Sequence, residues 1–262
     1  MDIYISSSVY KDFEKSVNFA KDNDFNLEIS RFGSMVGLNK EFEERLSLYK
    51  NVLSDFKGKL SLHGFFFDLN PSSPDPEILK LTEHRYNQSF KIAKELKANT
   101  VVFHSGYNSL IKHPDYNRDF INYQIDFWNH FIKRFEIENI TVAIENTYEF
   151  TPDILIKLVD TVNSDHLKLC IDTGHTNINS MIDIPTWIEK ISKRLHHMHL
   201  HNNYGAADEH SSLLRGNIDF KPVFSKLFEK NLNPNLVLEI FTAEETLESY
   251  GLLEHILNLP VA

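Results

Sequence analysis

The sequence predicts an α/β fold, a single-domain (β/α)8 barrel over residues 1–262. Three observations predict it. Short apolar runs rich in β-branched and aromatic residues alternate with longer amphipathic runs, eight times over. Such alternation demands a parallel sheet, because each parallel crossover needs a helix. The chain has 262 residues, 42% of them hydrophobic and 20 of them Phe, which suits one barrel with one core.

The strands are expected in order at Ile3–Ser6, Leu27–Ser30, Lys59–His63, Thr100–His104, Ile140–Glu145, Leu167–Asp172, Leu195–His201 and Leu236–Ile240. Asn, Asp, Gly or Lys bounds each of them. Between them, apolar residues recur at helical spacing over Tyr10–Lys21, Lys40–Phe56, Pro76–Leu96, Tyr116–Phe135, Pro152–Val162, Ile184–Lys193, Phe220–Glu229 and Ala243–Leu257. Thr151 before Pro152 reads as an N-cap followed by an N1 proline, and Thr242 as an N-cap before Glu244 and Glu245. An open doubly wound sheet is the structural alternative. Its glycine-rich turn after the first strand is missing, and Ser6-Ser7-Ser8 stands there instead.

The net charge is −10, which on average repels polyphosphate backbones. The single cysteine, Cys170, cannot form an internal disulfide, so a cytoplasmic setting is expected. Residues Met1–Ser8 lack a basic region and a long apolar stretch, so no signal peptide is expected. No apolar run is long enough to span a bilayer.

The chemistry gathers at the ends of the expected strands. They read Leu62-His63-Gly64, Phe103-His104-Ser105-Gly106, Ile144-Glu145-Asn146, Ile171-Asp172-Thr173-Gly174-His175, His197-Met198-His199-Leu200-His201-Asn202 and Leu238-Glu239-Ile240. Asp208-Glu209-His210 follows the seventh. In a parallel barrel these ends converge on one face. Ionisable groups held against a core are costly unless paired or metal-bound, and crowded carboxylates without a cation repel one another. Imidazole with carboxylate suits zinc, manganese or a similar divalent ion. A lone histidine at a strand end is more often a plain hydrogen-bonding residue, but that bland reading would have to hold at six strands together. It does hold for His84, His113, His130, His166 and His255, on helices or loops; His196 and His197 are ambiguous. Cys170 reads as core. Phe65–Phe67 reads equally as pocket wall, lid or simple packing.

These ordered elements, with Leu27-Glu28-Ile29 and Gly216-Asn217-Ile218-Asp219-Phe220, resemble the xylose-isomerase-like superfamily of TIM barrels, the AP endonuclease family 2. It includes sugar and sugar-phosphate isomerases and epimerases, and the endonuclease IV type of DNA-repair enzyme. In the isomerase branch, the resemblance implies one ion held by Glu145, Asp172, His199 and Glu239, with the two glutamates as acid and base. In the nuclease branch it implies a neighbouring site completed by His63 and His104 with Glu145 as bridge. A third ion there would lie on His175, Asp208 and His210. One to three ions, zinc or manganese, are thus implied.

The first functional reading is an isomerase or epimerase of a small polyol, ketose or sugar phosphate. His201, Asn202 and Arg215 are its candidate substrate contacts, and Arg215 reads equally as a solvated loop charge. The second is a zinc-dependent phosphodiesterase of the endonuclease IV kind acting on abasic DNA. The third is a non-catalytic binder that uses the mouth as a pocket. The segments Asp68-Leu69-Asn70-Pro71 and Asp75-Pro76-Glu77 resemble the sugar-phosphate isomerase subgroup more than the nuclease. After the second strand stand only Arg31-Phe32-Gly33 and the uncharged Ser34–Asn39, and after the third no Lys or Arg precedes Lys80. Neither stretch supplies the basic surface that DNA needs. No membrane partner is expected, an oligomer is left open, and the loop Asn202–Gly216 is long enough to be a lid.

Overall fold

Runs of buried β-branched and aliphatic residues form the strands, because a parallel sheet covered by helices is buried on its outer face as well. The computed structural model describes residues 1–30, 32 and 38–258. Its strands are β1 (Ile3–Ser6), β2 (Asn26–Ile29), β3 (Leu60–His63), β4 (Thr100–His104), β5 (Thr141–Glu145), β6 (Leu167–Asp172), β7 (Leu195–Leu200) and β8 (Asn235–Leu238). They close in the order β1 to β8, all neighbours parallel, with β1 pairing both β2 and β8. The predicted (β/α)8 barrel is therefore the observed one. Register sets the strand ends level: His104 pairs with Glu145, and Asp172 with His199.

The helices are α1 (Phe13–Asp22), α2 (Leu38–Val52), α3 (Pro76–Leu96), α4 (Tyr116–Phe131), α5 (Lys133–Ile137), α6 (Asp153–Val162), α7 (Thr173–Asn179), α8 (Ile184–Ile191), α9 (Phe220–Glu229) and α10 (Ala243–Leu257). They bury their apolar faces against the outside of the barrel. Tyr86 of α3 stacks on Phe103 of β4 at 4.0 Å, and Trp128 and Phe131 of α4 close around Tyr86. Aromatic side chains of this kind supply much of a core's buried apolar area. Inside the barrel, alternation turns the other residues inward. There Val102, Ala143 and Cys170 form a small apolar layer of their own, and Cys170 is core, as expected. No described helix is long and apolar enough to cross a membrane.

Three local expectations are corrected. The helix expected over Tyr116–Phe135 divides at Ile132, where Phe135 N–H reaches back only three residues to Ile132 O and the turn tightens. Thr151 does not cap α6: its hydroxyl donates to Asp153 at 2.8 Å, and the helix begins one residue later than expected. α7 was not expected at all, since its polar sequence carries no apolar repeat; Asp172 starts it by accepting the His175 N–H. Thr242 caps α10 as expected. Of the stretch after β2 that bears on DNA binding, Arg31 and residues 33–37 lie outside the described residues.

Candidate metal centre

The strand ends deliver their side chains to one point. His63 ends β3, His104 ends β4, Glu145 ends β5 and Asp172 ends β6. His199 lies inside β7, and Glu239 follows β8, its N–H bonded to Leu200 O. Glu145, Asp172 and His199 are no more than 1% exposed, and Glu239 is 8% exposed. One donor atom from each of these four lies within 4.8 Å of the others. His199 Nδ1 is the hub, 3.1 Å from Glu145 Oε1, 3.2 Å from Glu239 Oε2 and 3.8 Å from Asp172 Oδ2.

Glu145 spans two groups. Its Oε2 faces His63 Nε2 at 3.4 Å and His104 Nε2 at 3.3 Å. That oxygen is buried without a formed hydrogen bond. A buried carboxylate oxygen left so is costly, and a cation satisfies it. A third group adjoins. Asp208 Oδ2 lies 3.4 Å from His175 Nε2 and 3.1 Å from His210 Nε2. All nine expected metal-ligating residues therefore face one connected cluster at the barrel mouth.

Backbone carbonyls aim three of the imidazoles. His63 Nδ1 stands 3.0 Å from Gly64 O, His175 Nδ1 3.0 Å from Asn146 O, and His210 Nδ1 2.9 Å from Glu239 O. A proton on each Nδ1 satisfies the carbonyl and leaves the Nε2 lone pair facing the carboxylates, the usual arrangement around bound metal. Nitrogen and carboxylate donors in this mixture fit a divalent transition ion.

The electrostatics follow from crowding. Burial, helped by the neighbouring His63 and His175, disfavours the charge on His104, which is pushed down to about 4. Burial also opposes charge on Asp172, but His175 and His201 outweigh it and hold its carboxyl at about 2. Glu145 and Glu239 are likewise held low against burial, chiefly by His199. His199 and His175 are held well above the usual imidazole range by the surrounding acidic groups, although burial opposes them. The Asp208 hydrogen bond and the field of Glu239 overcome burial to raise His210 to about 9.

The three expected substrate contacts are placed differently. His201 is fully buried, with Nε2 3.1 Å from both Asp172 oxygens and its ring stacked on His210 at 4.0 Å, so it belongs to the cluster. Asn202 is spent on the loop: its Nδ2 donates to Leu213 O and Ile218 O, and its Oδ1 accepts from the N–H groups of Asn203 and Ile218. Arg215 is 56% exposed at its side chain and pairs with Glu245 at 2.8 Å. The Phe65–Phe67 run divides. Phe65 is buried, Phe66 stacks on His104 at 4.3 Å, and Phe67 is exposed.

Two buried acids were not singled out. Glu28 sits inside the barrel beneath His199; the sequence marked it only within the resembling segment Leu27-Glu28-Ile29 and by strand alternation. Glu149 accepts from Ser105 Oγ and from Thr147 N–H behind the cluster, and burial raises its carboxyl above the usual range. It lies in a loop, where no periodicity marks it.

The protein MJ1614 of Methanocaldococcus jannaschii is 27% identical over 258 residues, 92% of each chain. A solved D-tagatose 3-epimerase-like protein matches with a TM-score of 0.82 at 24% identity, over 98% of this chain and 97% of that one. The TTHB071 protein of Thermus thermophilus, soaked with ZnCl2, matches with a TM-score of 0.82 at 23% identity, over 98% of each chain. A family model described as xylose isomerase-like TIM barrel matches residues 30–255, and the chain belongs to that family.

Proposed function

We propose that this protein is a divalent-metal-dependent isomerase or epimerase of a small sugar, polyol or ketose. The observation that carries the reading is the convergence of Glu145, Asp172, His199 and Glu239, with donor atoms within 4.8 Å of one another. These four would hold the ion. When bound, the ion would polarise a carbonyl and its neighbouring hydroxyl. Glu145 and Glu239 both stand beside His199 Nδ1, at 3.1 and 3.2 Å, so both carboxylates lie where a metal-bound substrate would rest. One of them removes the proton beside the carbonyl and the other returns one to the product. The similar D-tagatose 3-epimerase-like protein supports this class of reaction.

The test is metal content by elemental analysis, followed by incubation with ketohexoses in deuterated water. Deuterium at the carbon beside the carbonyl, epimer formation and loss of both on chelation are expected. About three zinc ions per chain with nicking of abasic DNA, and no exchange into any sugar, would replace this reading by bridged-hydroxide phosphodiester hydrolysis.

A further inference from the structure

His199 is oriented opposite to His63, His175 and His210. Those three rest Nδ1 on backbone carbonyls and turn Nε2 to Glu145 or Asp208, although His175 Nδ1 also lies 3.4 Å from Glu145 Oε1. His199 directs Nδ1 at Glu145 and Glu239, and its Nε2 points down into the barrel. Among the described residues, no carbonyl accepts from it there. Glu28 Oε1 stands 3.0 Å from it as an ion-pair partner, without a formed hydrogen bond.

Glu28 is 1% exposed and leaves the middle of β2, a place where an aliphatic side chain would fill the barrel without cost. It is also clamped. Its Oε2 accepts from Ser61 Oγ at 2.9 Å and pairs with His197 Nε2 at 2.9 Å. Two buried side chains thus hold one oxygen so that the other stays under His199. An interior carboxylate fixed in this way places its negative charge 3.0 Å from His199 Nε2, where it favours a proton.

We propose that Glu28 is a positioning residue: it keeps the His199 proton on Nε2, so that the Nδ1 lone pair is presented to the ion. This rests on the metal reading above. Glu28 touches neither ion nor substrate. His197 serves as its second clamp, and the chain of contacts runs from Ser61 and His197 through Glu28 to His199.

The experiment uses the full chain labelled with 15N-histidine and loaded with zinc alone. Long-range proton–nitrogen spectra assign the proton and the metal on each imidazole. His199 is expected to carry zinc on Nδ1 and the proton on Nε2. Zinc on Nε2, or a proton on Nδ1, overturns the proposal without any variant. In Glu28→Leu both acceptor oxygens are removed, and zinc affinity measured by chelator competition is expected to fall about 10–100-fold. Ser61→Ala removes one clamp but keeps the carboxylate, and a smaller loss of zinc affinity than in Glu28→Leu is expected. A folded Glu28→Leu protein with unchanged zinc affinity overturns the positioning role alone. Wild-type protein that takes up no zinc overturns both this role and the metal reading.

Discussion

Asp172 Oδ1 accepts the backbone N–H of His175 at 2.6 Å, so one carboxylate both starts α7 and faces the cluster. The two duties separate by substitution. Asn also caps helices well, whereas Ala does not. Asp172→Asn is therefore expected to lose only the pairing with His175 and His201, while Asp172→Ala loses a further ~1 kcal/mol of stability with the cap. Both should lose zinc affinity by more than the roughly 10–100-fold that an outer partner costs. Denaturant titration beside chelator competition checks this. An Asp172→Asn protein with full zinc affinity would remove Asp172 from the site.

Glu145 serves as donor and as acid or base in the proposed reaction, and its two oxygens face different histidines. Glu145→Gln keeps the shape and removes both the charge and the proton-accepting oxygen. Turnover at saturating metal should fall by at least about 10²–10⁴-fold, the usual worth of a general acid or base. A fully active variant contradicts the assignment.

Gly174 lies against the buried His201 ring, and a Cβ there would overlap it. The ring cannot retreat easily, being fully buried and stacked on His210. Gly174→Ala is expected to lower stability by ~1–3 kcal/mol through overpacking. It should also push His201 from Asp172 and weaken zinc binding. Thermal melts with and without zinc read both effects, and an unchanged pair of melts would show that the site relaxes freely.

Protons compete with the ion. Against burial, the Asp208 hydrogen bond raises His210 from 6.5 to about 9, and His175 and His199 are also held high. These imidazoles are charged in the metal-free site at neutral pH and must lose protons to bind metal. Zinc affinity should therefore climb as pH rises toward about 9, where the His210 contribution ends. The raised His210 stabilises the metal-free fold below 6.5, and that contribution is lost as pH rises from 6.5 to about 9. The melting temperature of metal-free protein should thus drop across that window relative to zinc-loaded protein. Calorimetry in buffers of different ionisation enthalpy counts the released protons, and a binding heat independent of buffer would contradict the account.

Much of this was legible in the chain. Buried parallel strands are continuous apolar runs, so all eight emerged within a residue or two of their observed ends, and the residues at those ends named the cluster. α7 did not emerge, because Thr173–Asn179 is polar and its start depends on a carboxylate that looked reserved for the site. Glu28 entered only within the segment Leu27-Glu28-Ile29 and without a role, because only barrel closure turns it inward onto His199. Asn202 and Arg215 have partners within the protein that spacing did not announce. A polar residue after a strand is equally suited to holding its own loop or pairing with the next helix, and spacing does not distinguish these from a substrate contact.

The central claim is that Glu145, Asp172, His199 and Glu239 together hold a divalent ion. Anomalous diffraction from crystals equilibrated with zinc or manganese tests it directly. A peak is expected about 2.0–2.3 Å from His199 Nδ1 and from an oxygen of each of the three carboxylates. A metal-loaded crystal with no peak among these four residues would contradict it.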